Sequence, residues 1–82
     1  MTHQDVLDLV KKCICSILPN LNGQQIGTAD SLVALGANSI DRAEITVMAL
    51  EELGLRIPLV ETYGLKNIGE LATLLHDKLQ SA

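Results

Sequence analysis

The stretch LGANSIDRAEI, residues 35–45, decides how this chain is read. Gly36 and Ala37 precede two short polar residues, Asn38 and Ser39, and a run with apolar residues at helical spacing follows. Asn38 is a good N-cap, and Asp41 stands three residues on, where a carboxylate meets exposed amides and the positive end of the helix dipole. Asn38 or Ser39 could serve as the cap, and only one is needed. The other role of Ser39 is then open: a spare cap, a nucleophile, or a point of attachment.

From Asn38 the helix runs to about Leu53, and Gly54 is a plausible stop. Ile40, Ala43, Val47 and Leu50 lie on one side of it, with Ile45, Ala49 and Leu53 roughly opposite. A helix with two apolar faces is either central or covered by something else. Upstream, Thr2 and Asp5 form a capping-box pair ahead of Val6, Leu9, Val10, Cys13, Ile14 and Ile17. Leu18-Pro19 ends that helix, because the residue before a proline is pushed out of the helical region. The connection over 19–37 is long for a compact domain, so local structure is expected in it. Leu21, Ile26, Leu32 and Leu35 would pin it to the core, with a single helical turn over Thr28 to Val33.

Downstream, Pro58 marks a break, and LVETYG leaves room for a short helical piece before Gly64. Asn67 caps a last helix, with Glu70 at its third position and an apolar stripe of Ile68, Leu71, Ala72, Leu75 and Leu79. The pattern predicts an all-α fold, a small four-helix bundle of three longer helices and one short one, in a single domain over 1–82.

Composition agrees. Apolar residues make up 48% of the 82, yet Tyr63 is the only aromatic, and such an aliphatic core favours packed helices over a sheet. The net charge is −4 and the six Lys and Arg are scattered, which argues against a nucleic-acid partner. No apolar run is long enough to span a bilayer and no leader pattern opens the chain, so a cytoplasmic, membrane-free protein is expected. Cys13 and Cys15 are too close for an easy bridge within one helix, and His3 and His76 stand near opposite ends of the chain. Cys13 reads as core, Cys15 as incidental, and no metal site is expected.

A serine nucleophile needs a general base, usually oriented by a third group. The histidines are terminal, and the residues around Ser39 lack the Gly-x-Ser-x-Gly elbow of a hydrolase. No catalytic residue is therefore assigned. A helix cap needs nothing further. An attachment point also needs no internal base, since the modifying enzyme brings its own, and a phosphodiester there would meet the positive end of the helix dipole.

The residues GANSI, with the order helix, long loop, motif helix, LRIP, short helix and final helix, resemble the acyl carrier proteins over the whole chain. That family opens its second helix with Gly-x-Asp-Ser-Leu, and its serine receives 4′-phosphopantetheine from coenzyme A. The resemblance implies that Ser39 is the covalent anchor of this cofactor, with Asn38 in the Asp position and Ile40 in the Leu position. It also implies that Ile40, Ala43 and Val47 form a partner-facing strip and that Ile45, Ala49 and Leu53 are buried. Two departures stand out. Asn38 keeps a capping oxygen but removes a negative charge, and Arg42 places a positive charge where the family is generally acidic.

The longer string GANSIDRAEI, with PLVE and KNIGEL, resembles the free-standing donor carriers of polyketide β-branching cassettes. This implies that an acetyl group, held as a thioester on the arm at Ser39, is delivered to an enzyme resembling hydroxymethylglutaryl-CoA synthase (HMG-CoA synthase). Expected partners are a phosphopantetheinyl transferase, an acyltransferase or decarboxylating ketosynthase, and that condensing enzyme, all visited by a monomer. Asn38, Ile40, Asp41, Arg42, Ala43, Glu44 and Val47 are the candidate partner-binding residues, with Glu51 and Glu52 on the same acidic helix. The alternatives are a carrier for a fatty-acid, other polyketide or aminoacyl pathway, and an unmodified helical adaptor.

Overall fold

The first turn of helix α1 (His3–Ile17) is closed by a reciprocal pair. The Asp5 amide donates to the Thr2 hydroxyl at 3.1 Å, and the Thr2 amide donates to the Asp5 carboxylate at 2.9 Å. At the other end the Leu18 amide still reaches the Ile14 carbonyl, at 2.7 Å, before Pro19 stops the helix. The computed structural model describes residues 1–21 and 26–81. Two further helices follow, α2 (Ser39–Leu53) and α3 (Ile68–Ser81), with a 3-10 helix (Leu59–Thr62) between them. The described residues are thus all-helical, with three helices, one short 3-10 turn and no strand.

Helix α1 packs against both α2 and α3 and is the shared wall of the core. That position widens its buried arc beyond one stripe. Val6, Leu7, Val10, Cys13 and Ile14 are buried, so Leu7 joins the predicted set, while Leu9 and Ile17 are half-buried at the flanks. From α3, Ile68, Leu71, Ala72 and Leu75 complete the core as the spacing predicts, with Leu79 packed at its edge.

On α2 the buried set is Ile45, Thr46, Ala49 and Leu50, with Leu53 half-buried. Leu50 therefore leaves the outward stripe in which the spacing placed it. It lies one turn beyond buried Thr46 on the same face, and its carbonyl receives both the Gly54 and Leu55 amides, which turns the chain beneath it. Gly54 holds the left-handed conformation this stop requires, at φ 67°. Thr46 is buried although polar, because its hydroxyl donates to the Arg42 carbonyl at 2.9 Å.

The long connection is anchored as expected: Ile26 is buried, and Leu21, Leu32 and Leu35 pack against the core. Its residues 22–25 lie outside the described set. The helical turn, expected over Thr28 to Val33, lies further along. The Leu35 amide reaches the Ser31 carbonyl, and the Ser31 hydroxyl accepts the Ala34 amide, as a cap would. The displacement has a cause in α3. The Asp30 and Thr28 carbonyls accept the Ile68 and Gly69 amides, both at 2.9 Å, and so are committed elsewhere. Gly69 permits this approach, since a Cβ there would stand 3.1 Å from Thr28.

His3 and His76, distant in sequence, meet edge to face with ring centroids 5.8 Å apart, and His3 also bonds the Thr73 hydroxyl at 3.0 Å. Among the described residues no cluster could hold a metal ion, and no helix is long and apolar enough to cross a membrane. Cys13 is buried, and burial raises its thiol pKa; Cys15 is half-buried against the core rather than incidental.

Two measurements check this architecture. Leu75→Ala removes a fully buried side chain and should cost about 2–5 kcal/mol in urea unfolding. The Asp5 carboxyl is held below the ordinary aspartate range, first by the Thr2 backbone amide and then by the Thr2 hydroxyl. Its contribution is present above the ordinary aspartate pKa and is lost as pH falls through the lower folded one. Asp5→Asn should therefore flatten the acid limb of stability in that window, read by melting temperature against pH.

Candidate functional site

Asn38, not Ser39, is the cap of α2. Its side-chain oxygen accepts the Asp41 amide at 2.7 Å, while its own amide donates to the Asp41 carboxylate at 3.2 Å. The pair satisfies two groups that would otherwise be open at the helix start. Ser39 thus becomes the first helical residue, exposed, and its hydroxyl has no hydrogen-bond partner among the described residues. It is also beside the positive end of the α2 dipole.

The other residues singled out by sequence are gathered on the first turns of the same helix. Ile40 is 67% exposed and Val47 is 40% exposed, two turns apart on one face, with Ala43 half-buried between them. Such exposure of large aliphatic groups decides between core and contact surface, and here it favours the surface. Arg42 and Glu44 are exposed and Asp41 half-buried; further along, Glu51 and Glu52 are exposed. Arg42 sits one turn from Ser39, on the side that faces the 3-10 helix.

A cleft of about 430 Å³ opens beside Ser39, between α2, the 3-10 helix and the start of α3. Ser39, Arg42 and Thr46 form one wall, and Leu59, Tyr63 and Lys66 contribute to the other. Sequence reading did not place Tyr63 or Lys66 at the site. The signal available was that Tyr63, the only aromatic, stands in a segment too short for a core helix.

This arrangement fits a group carried on Ser39. Among the described residues the hydroxyl is unpartnered and exposed and no Asp or Glu lines the adjoining cleft, and the helix dipole suits a phosphodiester. It does not fit a serine nucleophile, because neither His3 nor His76 lines the cleft beside Ser39.

Comparison with known proteins agrees with the geometry. The family model for the phosphopantetheine attachment site matches residues 8–75. The chain belongs to this family, that of the acyl carrier proteins, and a covalent 4′-phosphopantetheine is its prosthetic group. It is 51% identical, over all 82 residues and the full length of the relative, to the polyketide biosynthesis acyl-carrier-protein AcpK of Bacillus subtilis (strain 168). It is also similar to a chain in the crystal structure of the curacin biosynthetic pathway HMG synthase in complex with acetyl donor-ACP. There the identity is 45% and the TM-score 0.89, covering 95% of this chain and 100% of that one.

The cap is directly testable. Asn38→Ala should lower stability by about 1 kcal/mol, whereas Asn38→Asp, which keeps the accepting oxygen, should restore it. Urea midpoints of the two variants against the parent give the answer.

Proposed function

We propose that the protein is the acetyl-donor carrier of a polyketide β-branching system, with Ser39 as the anchor of the phosphopantetheine arm. The observation that carries this reading is the likeness, over nearly the whole chain, to the chain from the HMG synthase–donor complex. The partner is an HMG-CoA synthase-like condensing enzyme in the cytoplasm. A phosphopantetheinyl transferase installs the arm, and an acyltransferase or decarboxylating ketosynthase charges it. The arm, once attached, supplies a terminal thiol that holds the acyl group as a thioester.

The chain's own residues bind, present and select. Asn38 and Asp41 fix the helix start, so the Ser39 hydroxyl stays clear of the cap and open to a modifying enzyme. Ile40, Ala43 and Val47 give a small apolar contact strip, and Asp41 and Glu44 flank it with negative charge. Charges at such a rim steer the encounter and choose partners more than they add affinity. A contact this small releases quickly, as a carrier that visits several enzymes as a monomer requires. Arg42 interrupts the acidic face one turn from the anchor and disfavours enzymes whose docking patch is uniformly basic.

Incubation with coenzyme A and a broad-specificity phosphopantetheinyl transferase should add one phosphopantetheinyl group, seen by intact mass and mapped to the Ser39 peptide. Ser39→Ala should gain nothing. Loading of that variant, or no gain on folded parent protein, would return Ser39 to a structural role and leave a helical adaptor.

A further inference from the structure

The cleft beside Ser39 is charged against the grain of the molecule. The sequence holds six Lys and Arg against ten Asp and Glu, yet among the described residues the cleft is lined by Arg42 and Lys66 and by no Asp or Glu. Neither cation is ion-paired among the described residues, where the salt bridge present is Lys78–Glu61 at 2.9 Å. Glu70, the acid closest to Lys66 in sequence, accepts the Lys66 backbone amide at 3.1 Å. Tyr63 stands on the same rim, 67% exposed.

Tyr63 is displayed by a defined backbone. Its amide donates to the Val60 carbonyl at 3.1 Å, and the Thr62 hydroxyl donates to the Leu59 carbonyl at 2.6 Å. Gly64 then turns the chain at φ 84°, a conformation that a side chain there would strain. An exposed, well-held tyrosine offers large contact area at low entropic cost, which is why such residues anchor interfaces.

We propose that Tyr63, Lys66 and Arg42 form a second docking element for the condensing enzyme, across the cleft from the α2 strip. In it Tyr63 enters an apolar recess on the enzyme, and the two cations face carboxylates beside the entrance that admits the arm. This rests on the donor-carrier reading above and names the chemistry its partner must present. The surface around Ser39 is then bipolar. Asp41 and Glu44 need basic residues on one side of the entrance, and Arg42 and Lys66 need acidic residues on the other. An enzyme that offers basic residues throughout is repelled at the cleft, so discrimination comes from an unfavourable contact as well as a favourable one.

The test uses the full chain, loaded with an acetylated arm from acetyl-CoA by a broad-specificity transferase. It is presented to the curacin-pathway HMG synthase, and loss of the acetyl group from the carrier is followed by intact mass. Tyr63→Ala and Lys66→Glu should each lower kcat/KM for this transfer about tenfold or more, with Lys66→Arg close to the parent. Loading by the transferase should change less than about twofold, and melting temperatures should hold, since both side chains are exposed. Unchanged transfer in both variants, or transfer and loading that fall in parallel, overturns the second docking element. Failure of the parent chain to be loaded, or to pass on its acetyl group, overturns the donor-carrier reading itself and this inference with it.

Discussion

Every helix start leaves amide groups without partners inside the helix, and this protein meets that requirement three times with neighbouring side chains. Thr2 pairs with Asp5, and Asn38 pairs with Asp41, each reciprocally. Asn67 accepts the Glu70 amide at 2.8 Å, while Glu70 reaches back one residue further, to the Lys66 amide. At α3 the solution extends through space, because the next amides go to the Thr28 and Asp30 carbonyls of the long connection. That contact ties the connection to α3, moves its helical turn downstream, and sets one side of the cleft beside Ser39.

The same requirement explains the site. With Asn38 and Asp41 occupied with each other, the first helical residue is left without a structural task, and that residue is Ser39. A hydroxyl that is exposed, unbonded among the described residues and close to a helix dipole has no task in the fold they define. It is therefore available to an enzyme that brings its own base. Ile40, Val47 and Tyr63 are likewise held outside the core, so a contact made through them would not conflict with folding.

What could be read in the sequence follows from range. The three cap pairs are contacts over three residues, and Gly54 and Pro19 act on the chain beside them, so helix positions were legible. The core faces of α1 and α3 were legible as well, since their 3.6-residue period needs no knowledge of a partner. The two-faced helix α2 was harder. Periodicity groups Leu50 with Ile40, Ala43 and Val47, and only the packing of α1 and the turn at Gly54 place it inside. Thr46 hides its polarity in a bond to its own helix, which composition cannot reveal. The turn after Ser31, the meeting of His3 with His76, and Tyr63 and Lys66 at the cleft all depend on contacts between distant segments. Resemblance to a family supplied what periodicity lacked, by choosing which stripe of α2 faces outward.

The isolation of Tyr63 has an optical consequence. The chain has one tyrosine, no tryptophan and no phenylalanine, so its near-ultraviolet absorption and intrinsic emission come from a single ring. That ring stands on the rim of the cleft beside Ser39 and is open to solvent. The core is spectroscopically dark, and the molecule carries its own reporter at the place where partners and cargo would pass.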